Sequence, residues 1–579
     1  MKTQKNNHQS FFKHLILIIF VIPIPVLLAA YWEGDPAENA PVCRAPEDQW
    51  YPVVCASGTG KAIIVWRDER NETTGSDIYA QRVNIHGEVF WATDGIEVCN
   101  APEDQHNPAV VEDGQGGVII AWRDSRGDTI TAIYAQRMDS SGTFLWADNG
   151  IAACTEGAGL DIEMISDGQG GAILAWEAAI VGRNTFFTQH IDSSGQPLWG
   201  EDGIHIGGIS SNMDPKLTTD GSGGAIFAWT DGRNSSQSNF DIYAQHLNGE
   251  GISQWTQDGV AVTRADYGQR ARGIVSDMEG GAIILWYDYR WDNGLYTQRV
   301  SSSSGNSLWL TDGVAIDSTT DGKGEIISDN AGGAYYFWED RSFSTDHTTD
   351  IYGQRIDASG SPLWGAYGVP VCDHQGYQYA PRTVHDGSGG VILTWNDYRN
   401  SDSTSWDIYA QRVNSSGGKM WSTEGVCISN ALNSQEYPEI AGCDSLGAII
   451  TWVDSRNYDT SGRDIYMQGV DIEGNLYDVP NSIYDHSIEK VPTKVKMYQN
   501  YPNPFNPVTT IKYTLPRACH AKLTICNILG QRVASLVDGH QKAGYKTARW
   551  DASSFSSGIY FYRFQAGDFV QTRKMVLIR

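Results

Sequence analysis

Asp113-Gly-Gln-Gly-Gly-Val-Ile-Ile-Ala-Trp122 and Asp139-Ser-Ser-Gly-Thr-Phe-Leu-Trp146 decide the fold of this chain. In both, Gly supplies positive φ for a tight turn and the leading Asp can cap its own backbone. Val118–Trp122 is apolar at consecutive positions, as in a strand buried on both faces. Pro108-Ala-Val-Val-Glu112 reads as a short strand before it, and Ile133-Tyr-Ala-Gln-Arg-Met138 as an alternating strand after it. Phe144-Leu-Trp146 opens a fourth strand that runs to Ile151-Ala-Ala-Cys154. The unit is four short antiparallel strands joined alternately by tight turns and longer polar loops.

That unit recurs eight times. One Trp ends the buried strand (Trp66, Trp122, Trp176, Trp229, Trp286, Trp338, Trp395, Trp452), and another follows the second turn (Trp32, Trp91, Trp146, Trp199, Trp255, Trp309, Trp364, Trp421). Successive copies lie 52 to 59 residues apart, a period that means a repeat architecture. Four short strands per unit are the signature of a β-propeller blade. The first copy of the fourth strand stands alone at the N-terminus, Tyr31-Trp32 through Val42-Cys43, and strands one to three of the last unit end near Val470-Asp471. An open solenoid has no use for complementary half-repeats, whereas a ring uses one to remove its free edge. The expected fold is therefore all-β: an eight-bladed β-propeller over residues 31–474, closed by an N-terminal strand.

Each repeated Trp is expected to pack between adjacent blades. The recurrent Trp-x-Asp-x-Arg (Asp68/Arg70, Asp124/Arg126, Asp231/Arg233, Asp288/Arg290, Asp397/Arg399, Asp454/Arg456) reads as a loop-anchoring ion pair, because chemistry happens at one place and this motif stands at six. Cys43, Cys99, Cys154, Cys372 and Cys427 hold equivalent positions. On outer strands of neighbouring blades they would lie on the order of 15 Å apart, beyond the ~7 Å Cα separation a disulfide allows. They are expected to be small buried apolar groups.

The net charge of −27 argues against a nucleic-acid partner, since phosphate binding needs a basic surface. At the N-terminus, Lys2, Lys5 and Lys13 precede an apolar stretch from Leu15 to Ala30. This reads as a signal peptide over residues 1–30, and no other segment could span a membrane in the mature chain.

After Asn475 the repeat stops, and residues 475–494 read as a linker. Then come Tyr498-Gln-Asn-Tyr-Pro-Asn-Pro-Phe-Asn-Pro-Val-Thr-Thr-Ile-Lys-Tyr-Thr-Leu-Pro516, Leu523-Thr-Ile-Cys-Asn-Ile-Leu-Gly-Gln-Arg-Val533, Ser557-Gly-Ile-Tyr-Phe-Tyr-Arg563 and Arg573-Lys-Met-Val-Leu-Ile-Arg579. Short strands and turn signals of this kind predict a small C-terminal immunoglobulin-like β-sandwich over residues 495–579. The segment closely resembles the type A C-terminal sorting domain of cargo for the type IX (Por) secretion system. That resemblance implies the type IX secretion machinery as a partner, and a secreted or outer-cell-surface location on a Gram-negative bacterium. The family's terminal Lys-x-x-x-x-Lys/Arg pattern maps onto Lys574, Met575, Val576, Leu577, Ile578 and Arg579 as the sorting signal.

No enzyme family is recognised in the repeats. Asp-Ser-Ser-Gly-x-x-Leu-Trp is similar to the tryptophan-docking repeat of eight-bladed quinoprotein dehydrogenases. However, its Gly comes one residue early, the preceding Thr is missing and there is no vicinal Cys pair. The Ser-x-Asp-x-Gly-x-Thr-Trp box of sialidases does not occur.

Function on a symmetric ring should lie where the symmetry breaks. The long loops, between strands two and three and between blades, share one face. Setting aside the repeated Trp leaves Trp50, in a connection between blades, and Trp291 and Trp406, in connections from strand two to three. Tyr51, Tyr267, Tyr377, Tyr379 and Tyr437 fall nearby, with Arg270 beside them and Tyr458, Arg272 and His374 close in sequence. Exposed aromatics on a rim suit a glycan or protein ligand. No cofactor is expected. Ca²⁺ is a weak option at Asp317-Ser-Thr-Thr-Asp-Gly322 or Asp346-His-Thr-Thr-Asp350, neither of which has the ligand ladder of a calcium loop. In the third unit Glu177-Ala-Ala replaces x-Asp-x, and Glu163 and Glu177 are the carboxylates to name as an acid/base pair. The leading expectation is a secreted binding protein; the competing one is a polysaccharide hydrolase or lyase with one-off carboxylates near the axis.

Overall fold

The computed structural model describes residues 35–477 and 495–578, apart from 72, 128–130, 156–157, 181–182, 209–210, 235–239, 291–292, 318–323, 342–347, 402–403, 498–499, 501–502, 504, 543 and 568. The chain divides into two compact units, 1–480 and 481–579.

The first unit is an eight-bladed β-propeller. Seven blades are four consecutive antiparallel strands, for example Gln49–Ala56, Lys61–Asp68, Asp77–Asn84 and Ile96–Cys99 in the first. The eighth takes Gln435–Gly442, Ala448–Asp454 and Asp464–Val470 from the C-terminal side and Ala40–Cys43 from the N-terminus, the latter paired antiparallel with Asp464–Val470. The expected closure is thus present. The first strands of successive blades lie side by side, and that of blade eight meets that of blade one, so these strands line the axis.

Burial follows the sequence pattern. Ile63, Ile64, Val65 and Trp66 have no exposed surface, and the second strands of the other blades repeat this. The indole N–H of Trp122 donates to Asp124 Oδ2 at 2.8 Å, and Arg126 binds both oxygens of the same carboxylate at 2.7 and 2.6 Å. The Arg126 guanidinium lies 3.7 Å over the Tyr134 ring and donates to Cys99 Sγ at 3.2 Å. The Trp-x-Asp-x-Arg motif is therefore a structural clamp, and Cys43, Cys99 and Cys372 belong to it. Cys427 does not hold the equivalent position expected of it: the register sets it two residues early, opposite Tyr409, and Ser429 takes the Cys place. All nine Cys are free thiols, and burial pushes that of Cys99 up to about 12.

Six Trp of the second set, from Trp146 to Trp421, tie blade to blade through the indole N–H. Trp146 Nε1 donates to Ser193 O at 3.2 Å, Trp255 Nε1 to Ser302 O at 2.8 Å and Trp421 Nε1 to Ile472 O at 3.0 Å, each acceptor lying in the next blade. This explains the Gly of the Asp-Ser-Ser-Gly turn. Gly142 sits at φ +88°, and a Cβ there would meet the Trp91 indole of the preceding blade at 3.1 Å.

Two strand boundaries differ from the sequence expectation. The first strand begins three residues before Pro108, at Gln105, because the ladder continues across a bulge at Asn107-Pro108. The fourth strand is interrupted: Phe144 forms a single bridge to Met138, and regular pairing resumes at Ile151.

The second unit is a β-sandwich. Lys496–Met497, Val508–Leu515 and Gly544–Asp551 form one sheet; Arg532–Gln541, Cys519–Asn527, Gly558–Ala566 and Phe569–Leu577 form the other, in that order. Met497, Phe505, Ile511 and Tyr513 pack with Leu523, Ile525, Tyr562, Phe564 and Met575 in one core. Lys574–Leu577 end the edge strand with Met575 and Leu577 buried, and Ile578 N–H donates to Phe505 O at 2.9 Å. Arg579 lies outside the described residues.

Candidate functional site: the channel mouth and the axial ring

The connections between blades and those from strand two to three share a face, held by a repeated latch. Gln49 N–H donates to Arg463 O at 2.9 Å, Gln105 N–H to Ser76 O at 2.7 Å and Gln435 N–H to Trp406 O at 2.8 Å, each across a blade boundary. Three residues after each Gln stands a Pro, which has no N–H for the ladder, and the register steps over it. The residue before that Pro takes up the step in left-handed backbone: Tyr51 at φ +52°, Asn107 at +48°, Asp214 at +53°, Ala380 at +53° and Tyr437 at +58°.

Glu177 Oε1 accepts the bulge N–H of Asp214 at 2.8 Å, and Glu339 Oε1 accepts that of Ala380 at 2.9 Å. Glu177 thus supports the backbone of the neighbouring blade. In its own blade Ala178 stands where the clamp Asp stands elsewhere, and Trp176 Nε1 is buried with no partner among the described residues.

The bulges aim side chains at the mouth of the channel. Tyr51 and Tyr437, on the first strands of blades one and eight, are 46% and 51% exposed with ring centroids 6.3 Å apart. Trp50 lies 6.0 Å from Tyr51, and Arg463 covers the Trp50 ring at 4.2 Å while pairing with Asp48 at 3.0 Å. Trp50 is the second residue of its strand, which corrects its expected place in a connection: the bulge lets the strand start before the Pro. A second cluster belongs to blade seven. Tyr377 stacks on Tyr379 at 5.7 Å, Tyr379 lies 5.6 Å from Trp406, and Trp406 lies 4.5 Å from Tyr398.

Tyr267 is apart from both clusters, half exposed in the connection before blade five. Arg270 is bound at 3.2 Å to each Asp214 oxygen, so its charge is already matched. Trp291 lies outside the described residues, as do residues 318–322 of one Asp-rich loop weighed for Ca²⁺ and 346–347 of the other.

Deeper in the channel, the position that follows the bulge Pro in five blades forms a ring of its own, with Ile162, Arg272 and Gly324 in place of the Pro in blades three, five and six. Val53 and Ala109 occupy it in blades one and two, and Glu163, Lys216, Gly273, Glu325, Arg382 and Glu439 in blades three to eight. Lys216 pairs with Glu163, and Arg382 bridges Glu325 at 2.6 Å and Glu439 at 2.9 Å. Burial raises both Glu325 and Glu439 above the usual carboxylate range against the pull of Arg382, and the two carboxylates raise Arg382 in turn. All five charged side chains keep a quarter or more of their surface accessible, so the channel admits solvent. Sequence reasoning named Glu163 here and missed the other four charges. For three of them the available signal was the residue after Pro in the recurrent Gln/Asn-x-x-Pro-x, apolar in two blades and charged in Pro215-Lys216, Pro381-Arg382 and Pro438-Glu439; Glu325 follows Gly324 and carries no such mark.

Fold and site together define a propeller protein with a bulged, aromatic channel mouth and a charged axial ring. Residues 499–578 match the model of the secretion system C-terminal sorting domain, which makes this protein secreted or displayed at the outer surface of a Gram-negative bacterium. Among the described residues no helix is long and apolar enough to cross a membrane. No curated protein sequence matches the chain.

Among solved structures, a protein of unknown function from Dyadobacter fermentans is 8% identical, with a TM-score of 0.37, covering 75% of this chain and 97% of its own. PorZ, described as a surface component of the type IX secretion system of Porphyromonas gingivalis, is 10% identical with a TM-score of 0.26 over 91% of this chain and 81% of its own. A polysaccharide lyase, an ulvan lyase of family PL25, is 11% identical with a TM-score of 0.39 over 77% of this chain and 96% of its own. Similarities this distant assign no function.

Proposed function

We propose that the propeller is a glycan-binding module of an exported protein, holding its ligand on the long-loop face through the aromatic channel mouth. One observation carries the reading. Tyr51 and Tyr437 sit side by side in left-handed backbone, half exposed. A bulky side chain in that conformation costs about 1–3 kcal/mol, and burial does not offset it here. Asn107 and Ala380 stand at the same position in other blades, so the bulge itself needs no ring. Two adjacent exposed aromatics at a strained position are what a flat apolar ligand face uses.

The test is a polysaccharide and glycan panel applied to the full chain, beside Tyr51→Ala/Tyr437→Ala. Saturable binding that falls at least tenfold in the variant supports the reading. Binding that survives unchanged, or that is seen only with protein ligands, overturns it.

A polysaccharide hydrolase or lyase is the second reading, favoured by the raised carboxyls of Glu325 and Glu439 at the axis, since a carboxylic acid that keeps its proton suits general acid work. Product release by the parent, lost in Glu325→Gln or Glu439→Gln, would establish it. Both carboxylates are engaged by Arg382, which leaves binding the better-supported function.

A further inference from the structure

The wall of the axial channel between blades three and six holds a half-open cavity of about 230 Å³, lined by Glu163, Lys216, Arg272, Glu325, Gly273 and Gly324 among others. Its charges are unequal in circumstance. Glu163 and Lys216 are matched to each other, and Glu325 to Arg382. Arg272 makes no ion pair or side-chain hydrogen bond among the described residues; its guanidinium lies 5.9 Å from the centre of the Tyr287 ring, and its Nε is buried without an acceptor. The carboxylate of Asp214 lies close enough to act on its charge but is held by Arg270. Burial and the like charge of Arg270 hold the Arg272 guanidinium below its ordinary range. In a chain carrying 69 acidic and 42 basic residues, a half-buried arginine that lines a cavity with no carboxylate of its own is a cost that a bound anion removes.

We propose that this cavity binds one sugar ring bearing an acidic substituent, with Arg272 taking the acid and the flanking carboxylates of Glu163 and Glu325 accepting from ring hydroxyls. The volume lies below the range of pockets that hold drug-sized ligands, which fits a single ring. The planar fork of the guanidinium matches a carboxylate or a sulfate ester bidentately. A bare inorganic anion would satisfy Arg272 but would face Glu163 and Glu325 unfavourably; a hydroxylated ring uses all three. The site lies on blades three to six, whereas the aromatic clusters belong to blades one, seven and eight. The inference therefore stands whether or not the mouth binds glycan.

Calorimetric titration of the full chain with sodium D-glucuronate, D-glucose and sodium sulfate at matched ionic strength tests it. Glucuronate should bind at least tenfold more tightly than glucose and than sulfate. Arg272→Gln should lose that binding tenfold or more at an unchanged melting temperature, while Tyr51→Ala/Tyr437→Ala keeps it. Equal binding of glucose and glucuronate, sulfate binding as tight as glucuronate, or parental affinity in Arg272→Gln overturns the proposal. If Arg272→Gln does not fold, phenylglyoxal labelling of Arg272 in the parent, read by mass spectrometry, decides instead. Protection by glucuronate but not by glucose supports the site, and labelling at the same rate with both sugars overturns it.

Discussion

Arg456, in the loop after the second strand of the last blade, donates to Asn39 Oδ1 at 2.7 Å across 417 positions of sequence. Asn39 also accepts from Ser429 Oγ at 2.7 Å and donates to Ile428 O at 2.9 Å. One buried amide therefore joins the N-terminal segment to both blade eight and blade seven, and its Oδ1 accepts from Arg456 as backbone carbonyls accept from the clamp Arg in other blades. Ring closure is carried by specific polar contacts as well as by β-pairing.

Asn39→Ala leaves the Arg456 guanidinium and the Ser429 hydroxyl short of a buried partner. The expected loss is about 2–3 kcal/mol, seen as a lower urea midpoint. Because the seam opens rather than a blade core, the amides of Asp464–Val470 should exchange faster than those of the Val118–Asp124 strand. Uniform exchange across all blades would contradict a seam-specific role.

Asp124→Ala strips the partner from Trp122 Nε1 and from both Arg126 contacts at once. Removing one side of a buried ion pair costs about 3–5 kcal/mol, so the variant should melt well below the parent. Arg126→Met removes the other side but leaves Asp124 hydrogen-bonded to the indole. It should cost less than Asp124→Ala, and thermal melts of the two variants give the order.

Tyr437→Asn should separate stability from binding. Asn tolerates left-handed backbone better than Tyr does, and Asn107 holds the equivalent place in blade two. The variant is expected to match the parent or exceed it by about 1 kcal/mol in denaturation, and to lose affinity for any ligand held at the mouth. A clear loss of stability would mean that the ring contributes to the fold after all.

The carboxyls of Asp77 and Asp464, both fully buried at the start of a third strand, are pushed up to about 6, chiefly by burial. A carboxyl whose affinity for protons rises on folding favours the folded state below its unfolded value near 4. It gives up that contribution as pH climbs through about 6. Asp77→Asn/Asp464→Asn should therefore be more stable than the parent at pH 7, with the gap closing toward pH 4. Melting temperatures at the two pH values measure this; a gap that widens on acidification would refute the assignment.

Much of this architecture was legible along the chain because its causes are local. A buried strand is written as a consecutive apolar run, a turn as Asp-x-x-Gly, and a ring as a period with complementary half-repeats at its ends. The aromatic excess at Trp50, Tyr51, Tyr377, Tyr379, Trp406 and Tyr437 stood out once the repeated Trp were set aside. The left-handed backbone at Tyr51 and Tyr437 did not, because it comes from how a ladder steps over Pro52 and Pro438. Glu177 looked chemical by its singularity, and its partner turned out to be a backbone N–H in the neighbouring blade.

The sequence by itself determined the number of blades, their closure by the N-terminal strand and the sorting domain that follows, since these rest on a countable period, on half-repeats at its two ends and on motifs contiguous in the chain. Only the tertiary structure decided what meets at the axis. Glu163 and Lys216, or Glu325, Arg382 and Glu439, stand in successive repeats with nothing local to pair them. They become neighbours because each blade contributes one residue at the same depth to a closed ring. The same closure sets Arg272 at the edge of a cavity without an ion pair of its own, a fact about the space between strands that no single strand contains.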